Sequence, residues 1–371
     1  MRQLRQHPAA PAHLRALHGF TLVELMVAMA LGLLLLGALV TLVVSTVASR
    51  SELDKTSRRI ENGRYALQVL SADIESAGFI GATAINSWSR TAPPNACAAS
   101  ITDLGYVSTP TPTLPLAVQM LPSSASGTPP TCLSTANVKS DTGILLITRA
   151  SSQAITPAAA ASNTTEAYVQ VSTCGTDTQP FVAALGGNSA FTLRQKDCQA
   201  TNPAPLRKTI QRIYFISTCN NCGQDSIPTL KVAEYVNGAM TITPLVDGID
   251  NMQFDYGIDM DGNGSPDCYV SNTDNPSPIQ TDATTCPQPA AAYDWTVNAV
   301  NTAANRANVM AVRISVLARN TEPTGGWTDG GRTYNLGLDK PTVGPFKDGY
   351  KRHVYSAVAR IVNISGLRET P

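Results

Sequence analysis

The longest hydrophobic pattern in the chain lies close to the amino terminus. The stretch Leu25–Ser49 contains no charged residue and exceeds the roughly 20 residues that a helix needs to cross a hydrocarbon core. Residues 1–19 carry Arg2, Arg5 and Arg15 and no acidic residue, which predicts a cytoplasmic amino terminus and a remainder on the other side of the membrane. A secretory signal has a shorter apolar region followed by a small-residue cleavage site. We therefore predict that this span is retained.

A weaker apolar pattern continues beyond the span. Apolar residues recur every seven positions, which predicts an amphipathic helix with one apolar stripe. They are Leu53, Ile60, Leu67 and Ile74, and Leu70 and Ala77 follow three places after the last two. No proline occurs between Phe20 and Ala92, and Gly78 suits the position just past a helix end. We predict one helical segment over residues 20–78, with about 20–48 in the membrane. A stripe this short favours packing on the chain's own domain over a free coiled coil.

The remaining residues, 79–371, have a β-rich pattern. Alternating or β-branched runs predict strands, and Asn237-Gly238 between two of them is typical of a two-residue hairpin turn. The runs are 138–149, 166–171, 206–217, 230–236, 240–245, 310–317 and 354–362. We predict an α+β fold in which an antiparallel sheet packs on the amphipathic half of the helix, with long surface loops at 91–131 and 151–164.

Composition argues against an enzyme. The chain has 27 Lys+Arg, 27 Asp+Glu and four histidines. Only His353 lies beyond residue 19, and no GxSxG, HExxH or phosphate-binding glycine loop is present. The sequence therefore predicts neither a catalytic site nor a required cofactor.

Glu24 is the one charge inside the apolar block, and a buried carboxylate there requires a compensating partner. The run Gly19-Phe20-Thr21-Leu22-Val23-Glu24 resembles the processing motif of type IV prepilins, which is also followed by an apolar helix. The resemblance implies a leader peptide at 1–19, cleavage after Gly19 by a prepilin peptidase, and N-methylation of Phe20. It also implies that Glu24 pairs with a terminal amine in the fibre. A signal anchor with an incidental glutamate is the alternative.

Three further segments resemble the PilW group of minor pilins. They are residues 71–82 (SADIESAGFIGA), 249–267 and 352–363. The resemblance implies a pilin-like fold and a minor pilin that takes part in type IV pilus assembly, in a priming or tip complex. A minor pseudopilin of type II secretion shares the amino-terminal motif and is the alternative. Thr41 stands where many major pilins have a helix-kinking proline, so local melting of the helix there is not implied.

The same resemblance sets the expected partners and location. Partners would be other minor pilins, the major pilin, the prepilin peptidase, the inner-membrane assembly platform and inner-membrane lipid. The protein would be a single-pass inner-membrane protein with its carboxy-terminal domain in the periplasm, and later part of the surface pilus. Loss of the leader leaves 24 Lys+Arg against 27 acidic residues, a net charge of −3. This charge argues against direct nucleic-acid binding.

All eight cysteines follow the membrane span, on the oxidising side, which favours disulfides over zinc. Eight cysteines allow 105 pairings, and sequence alone does not choose among them. We predict nearest-neighbour bridges. They are Cys97–Cys132, Cys174–Cys198, Cys219–Cys222 and Cys268–Cys286. For Cys219–Cys222 a structural bridge is favoured over a redox pair, because the βαβ context of thioredoxin-like sites is missing.

An acidic loop is a candidate Ca²⁺ site. Oxygen-bearing side chains alternate with glycines, as in the first part of a calcium loop. The candidate ligands are Asp259, Asp261, Asn263 and Asp267. Val270 stands where an EF-hand has its bidentate carboxylate, and the loop follows an apparent strand instead of a helix. An Asp/Asn/Gly-rich turn without a metal is the alternative reading.

Overall fold

The computed structural model describes residues 19–82, 89–121, 128–271 and 306–369. The chain divides into two compact units, Met1–Asp54 and Lys55–Pro371. The first contains the apolar part of a long helix, and the second contains the rest of that helix and all described strands.

Helix α1 (Leu22–Glu75) confirms the predicted continuous helix. Its end lies close to the expected position. Gly78 has a left-handed φ of +72°, and its N–H donates to the carbonyl of Thr148 at 2.8 Å. This turn redirects the chain from the helix into the sheets, and the missing Cβ of glycine makes the conformation accessible.

The predicted apolar stripe on α1 is wrong in its first half. Leu53 and Ile60 are 70% and 40% exposed, while Ile74 is fully buried. The inner face of the helix begins only at Gly63. Its buried residues are Gly63, Ala66, Leu70, Asp73 and Ile74. The predicted stripe included Leu70 and Ile74, but the other three residues are small or charged and were not predicted.

The strands follow the helix in chain order. They are β1 (Ser89–Ala92), β2 (Thr113–Pro115), β3 (Val118–Leu121), β4 (Ile144–Ile155), β5 (Ala167–Val171), β6 (Phe181–Leu185), β7 (Leu206–Ser217), β8 (Thr229–Val236), β9 (Ala239–Asp247), β10 (Ile249–Ile258), β11 (Cys268–Val270), β12 (Val309–Arg319) and β13 (Arg352–Arg360). Two one-turn helices are α2 (Pro157–Ala160) and α3 (Val362–Ser365), and short 3₁₀ helices cover Ile101–Leu104 and Thr131–Leu133.

These strands form more than the one sheet that the sequence predicted. A larger antiparallel sheet has the order β3-β4-β7-β5-β6, with β8 added to β7 and β9 to β8. A smaller antiparallel sheet has the order β11-β10-β12-β13. Strands β1 and β2 make a separate parallel pair. The last predicted strand, 354–362, corresponds to β13 and is an edge of the smaller sheet.

Local sequence explains two details of the larger sheet. The β8–β9 hairpin turns at Asn237 and Gly238, both with positive φ, as the dipeptide predicted. Strand β7 pairs with β5 through residues 206–208 and with β8 through residues 212–217, while β4 covers its other edge. The predicted loop at 151–164 is partly wrong, because β4 continues through Ile155 and α2 follows it. The predicted loop at 91–131 likewise contains β2 and β3.

One apolar core joins α1 to both the larger and the smaller sheet. Fully buried aliphatic side chains on the helix contribute about 1.5–3 kcal/mol each when they leave water. Core members include Leu70 and Ile74 from α1, Leu145 and Tyr214 from the larger sheet, and Met252 and Ile314 from the smaller sheet. The helix therefore packs against two sheets at once.

Gly63 allows the closest approach in this packing. A Cβ on Gly63 would overlap the ring of Tyr355 on β13. We expect Gly63→Ala to lower the free energy of unfolding by about 1–3 kcal/mol through overpacking, although alanine ordinarily stabilises a helix relative to glycine by roughly 1 kcal/mol. Thermal unfolding of the full-length protein in detergent measures the effect. Gly175→Ala is the control, since nothing lies within 4 Å of its added Cβ, and equal melting temperatures for the two variants would contradict the close contact.

Candidate functional site

The amino-terminal motif forms the start of α1. Gly19 and Phe20 precede the helix, and Phe20 is 89% exposed. Thr21 occupies the N-cap position. Its carbonyl accepts from the N–H of Leu25 at 3.1 Å, and its Oγ1 accepts from the N–H of Glu24 at 3.3 Å. The residues on either side of the predicted cleavage bond are thus outside the helix and accessible.

Glu24 completes a capping box with Thr21. Its Oε2 accepts from the N–H of Thr21 at 2.9 Å and from Thr21 Oγ1 at 3.0 Å. Such a reciprocal pair satisfies backbone donors that a helix start otherwise leaves without partners. The carboxylate therefore has a local structural role that the sequence analysis did not assign. Because Glu24 is exposed, an amine from another chain has access to it but must compete with these two bonds.

The helix behind this cap has an uncovered apolar surface. From Leu22 to Val47 each Leu, Val and Met is more than half exposed. Among the described residues α1 is the one helix long and apolar enough to cross a membrane. It runs unbroken through Thr41, whose Oγ1 donates to the carbonyl of Ala38 at 2.8 Å. An apolar surface of this extent requires lipid or other apolar helices around it.

A buried carboxylate attaches the far end of α1 to the larger sheet. Asp73 is 5% exposed. Its Oδ1 accepts from Arg149 Nε on β4 at 2.7 Å, and its Oδ2 accepts from Tyr214 Oη on β7 at 2.7 Å. Arg212 on β7 lies 3.3 Å from the same Oδ2. Three donors from two strands thus converge on one side chain of the helix.

The groups around Asp73 balance its charge. Burial and the neighbouring carboxylate raise the pKa of Tyr214 far above its usual range, so the phenol keeps its proton and donates. Burial disfavours the charged form of Arg212, but Asp73 and Glu234 outweigh it and raise the pKa of the guanidinium. Arg212 Nε also contacts Glu234 at 2.7 Å. This site was not predicted from the sequence. The sequence feature that marks the site is Asp73 itself, an acidic residue directly before Ile74 on a helix face that otherwise contains only apolar and small residues.

A second buried ion pair joins the two carboxy-terminal segments singled out in the sequence. Asp250 Oδ2 accepts from Arg352 Nε at 2.7 Å, and both side chains are 2% exposed. Lys139 also donates to Asp250. Burial opposes ionisation of Asp250, but Lys139 and Arg352 hold its pKa below the usual value. Segments 249–267 and 352–363 are therefore in contact through a charged pair.

The segment at 71–82 contacts the other end of segment 352–363. Asn363 Nδ2 donates to the carbonyl of Ala77 at 3.3 Å, and Ile364 side-chain atoms line the space beside Gly78. Segment 352–363 therefore contacts 249–267 through its first residue and 71–82 through its last.

The acidic loop brings three of the four candidate calcium ligands together. Ligand oxygens of Asp259, Asp261 and Asp267 lie within 4.8 Å of one another. Asn263 is used within the loop: its Nδ2 donates to Asp261 at 2.9 Å, and its Oδ1 accepts from the N–H of Ser265 at 2.7 Å. Carboxylates in this arrangement suit Ca²⁺, which prefers oxygen ligands.

Arg368 already contacts a carboxylate of the acidic loop. Arg368 donates to Asp259 Oδ2 at 3.0 Å, and the N–H groups of Gly262 and Gly264 donate to the same carboxylate. Burial disfavours ionisation of Asp259, but Arg368 and these N–H groups outweigh it and lower its pKa. A metal ion at Asp259 would have to displace or share this arginine. Calcium binding stays a prediction.

Three disulfides have the pairings expected from the sequence. The Cα atoms are 5.4 Å apart in Cys97–Cys132, 5.1 Å in Cys174–Cys198 and 5.0 Å in Cys219–Cys222. Cys268 is also disulfide-bonded. Its predicted partner, Cys286, lies outside the described residues.

Two family models match the chain. Residues 14–40 match the model described as the prokaryotic N-terminal methylation motif, which spans the Gly19–Glu24 run and the first turns of α1. Residues 213–363 match the model described as Type IV Pilus-assembly protein W, which begins at β7 beside Tyr214 and ends at Asn363. Comparison with curated proteins and with solved structures found no significant match.

Removing Asp73 tests the attachment of α1. We expect Asp73→Ala to lower the free energy of unfolding by about 3–5 kcal/mol, because it leaves two guanidinium groups and a phenol without their shared acceptor. Asp73→Asn should lie between this variant and the unchanged protein. Denaturant unfolding of the full-length protein in detergent gives the values. Glu75→Gln, on an exposed position of the same helix, is the matched control, and similar losses for Asp73→Ala and Glu75→Gln would contradict the role of Asp73.

Two variants at the acidic loop should change Ca²⁺ binding in opposite directions. If Ca²⁺ binds there, Asp261→Ala should abolish the binding heat in isothermal titration calorimetry. Arg368→Gln should tighten binding, because it removes the competing cation from Asp259. No heat from the unchanged protein at millimolar Ca²⁺, the weak end of the range for extracellular sites, would leave the loop as a turn without a metal.

Proposed function

Because the chain matches a PilW-family type IV pilin at both its amino terminus and its carboxy-terminal half, we propose that it is a minor pilin that takes part in type IV pilus assembly as part of a priming or tip complex. The family is a structural component of the pilus and not an enzyme family. The match to the pilus-assembly model favours this role over that of a pseudopilin in type II secretion.

The observation that carries the proposal is the uncovered apolar surface of α1 behind an accessible cleavage motif. The side chains from Leu22 to Val47 are exposed in the isolated chain, and no soluble protein leaves so continuous an apolar surface in water without a partner. Lipid covers this surface before assembly, and the apolar helices of other pilins cover it in the fibre. The basic residues before Gly19 support a cytoplasmic leader and a periplasmic second unit.

Processing prepares the helix for assembly. The prepilin peptidase cuts after Gly19, and the new amino group at Phe20 is methylated. The Glu24 carboxylate then exchanges one partner for another. In the uncut chain its carboxylate accepts two bonds from Thr21, and in the fibre it pairs with the terminal ammonium of a neighbouring subunit. The pair with an ammonium joins two opposite charges, whereas the capping bonds join the carboxylate to neutral donors; the attraction between two charges grows more in an apolar environment, so the exchange is favourable once water is excluded.

The partners follow from this sequence of steps. They are the prepilin peptidase and the assembly platform in the inner membrane, followed by other minor pilins and the major pilin in the fibre. The second unit, Lys55–Pro371, is large, which suits a subunit at the tip of the pilus better than one repeated along its shaft. No direct nucleic-acid contact is proposed.

Two variants separate the capping role of Glu24 from its charge. Glu24→Gln preserves the capping box, since glutamine serves in that motif as well as glutamate, but removes the charge. We expect it to be inserted and cleaved but to lose surface piliation. Thr21→Val removes the hydroxyl of the cap and keeps the charge, and should reduce piliation far less. Immunoblots of leader removal and electron microscopy of surface pili measure the two outcomes.

Further variants complete this experiment. Gly19→Ala should block leader removal, while Gly32→Ala, whose added Cβ meets nothing within 4 Å, should be processed normally. Deletion of the gene that encodes this chain should abolish surface pili. Normal piliation of the deletion strain would contradict the proposed function, and loss of secretion with intact pili would favour the pseudopilin role.

A further inference from the structure

The Cys219–Cys222 bridge has one buried and one accessible end. It follows β7 directly, and Cys219 is 5% exposed whereas Cys222 is exposed. The loop around it is held by Asp225, whose carboxylate accepts from the N–H groups of Asn220 and Asn221 at 2.8 and 2.7 Å. Cys222 is therefore presented from a fixed loop.

A buried ammonium lies beside the exposed cysteine. Lys231 on β8 is 7% exposed, and its Nζ lies 3.8 Å from Cys222 Sγ and donates to the carbonyl of Asn220 at 3.0 Å. Among the described residues it makes no ion pair within 4.0 Å; Asp225 and Asp247 act on it only at longer range. Burial outweighs these two carboxylates and lowers the pKa of Lys231. A buried cation without a counter-ion is costly, and a thiolate on Cys222 would supply one.

Hydroxyl groups surround the other sulfur. Ser217 Oγ lies 3.7 Å from Cys219 Sγ and 3.8 Å from Cys222 Sγ, and Thr218 Oγ1 donates to Cys219 Sγ at 3.7 Å. The Ser217 hydroxyl donates its proton to the carbonyl of Ala136 at 2.7 Å, so Thr218 is the hydroxyl that would stabilise negative charge on Cys219 as it leaves a breaking bond.

Cross-linking does not account for this environment. The two cysteines are three residues apart, against 24 and 35 for the other described bridges. Loop-closure entropy grows with loop length, so this bridge constrains the unfolded chain least.

We propose that Cys219–Cys222 is a thiol–disulfide exchange site that accepts two electrons from a protein dithiol, with Cys222 as the attacked sulfur and Lys231 as the counter-ion of the product thiolate. A bridge whose reduced form is stabilised in this way is reduced more readily than an ordinary structural disulfide. The inference does not depend on the proposed role in pilus assembly.

The exchange proceeds in two balanced steps. A thiolate of the dithiol attacks Cys222 Sγ; a mixed disulfide forms, the Cys219–Cys222 bond breaks, and its electron pair remains on Cys219 Sγ, which takes up a proton. The second thiol of the dithiol loses its proton to solvent and attacks its own partner sulfur in the mixed disulfide. The dithiol leaves as a disulfide, and Cys222 remains as a thiolate beside the ammonium of Lys231.

Graded reduction of the full-length protein in detergent tests the proposal. Dithiothreitol at increasing ratios of reduced to oxidised form serves as the probe, and alkylation followed by peptide mass spectrometry identifies the opened bridges. We expect Cys219–Cys222 to open at a ratio about tenfold lower than Cys97–Cys132 and Cys174–Cys198, the shift that a modest rise in reduction potential produces. The pH midpoint for alkylation of reduced Cys222 should lie below the ordinary thiol value of about 8.5.

Two lysine variants separate a reactive site from a structural one. The charged groups near Cys222 are Lys231 on β8, Asp225 in the loop, Asp247 on β9 and Arg319, which donates to the carbonyl of Ser226. Lys231→Met should raise the alkylation midpoint by about one pH unit or more and remove the tenfold preference, whereas Lys231→Arg should retain both.

Two results would overturn the proposal. One is simultaneous opening of the three bridges, and the other is a midpoint at or above 8.5 in the unchanged protein; neither requires a variant to fold. A folded Lys231→Met protein with an unchanged midpoint would likewise remove the assigned role of the lysine.

Discussion

The buried carboxylate of Asp73 fixes how α1 meets the sheets. Apolar contacts alone would tolerate small shifts of a helix along a sheet, because burial has no direction. The bonds of Asp73 are directional, because its two oxygens contact Arg149, Arg212 and Tyr214 at the same time. A shift of one helical turn, about 5.4 Å, would leave all three without their acceptor. The ion pair thus selects one register from several that the apolar core would accept.

The smaller sheet uses the same principle. Asp250 and Arg352, on β10 and β13, make a buried pair although β12 lies between these strands in the sheet. Asp255 on β10 is also buried and accepts from Arg313 on β12 at 2.9 Å. Each of these carboxylates is matched by an arginine on another strand of the same sheet, which limits the cost of burying charge. The strands of the smaller sheet are therefore joined by charged contacts in addition to the apolar core.

The features that sequence predicted and those that it missed differ in kind. Local signals predicted the helix, its end near Gly78 and the Asn237-Gly238 hairpin, because each depends on adjacent residues. On the inner face of α1, Leu70, Ile74 and Ala77 were predicted, and Gly63 and Ala66 were not, because such small residues give little hydrophobic signal although they permit close packing. Strand β10 was only partly recognised because Asp250, Asn251, Gln253 and Asp255 give it a polar sequence, yet all ten of its residues are buried. Their partners lie far away in the chain, and no local pattern contains them. The convergence of three carboxylates in the acidic loop was visible in sequence, but the competing Arg368 was not.

The position of the cysteines has a mechanical consequence. The first cysteine is Cys97, so no disulfide can connect α1 with either sheet. The described bridges reinforce loops and strand ends, while the helix is held by non-covalent contacts that run from Lys55 to Ala77 and are buried from Gly63 onwards. Tension applied to the helix would reach the sheets as shear across this short interface and as a pull on the backbone at Gly78. The buried bonds of Asp73 lie close to that turn, where they would take up load before the polypeptide beyond it is stretched.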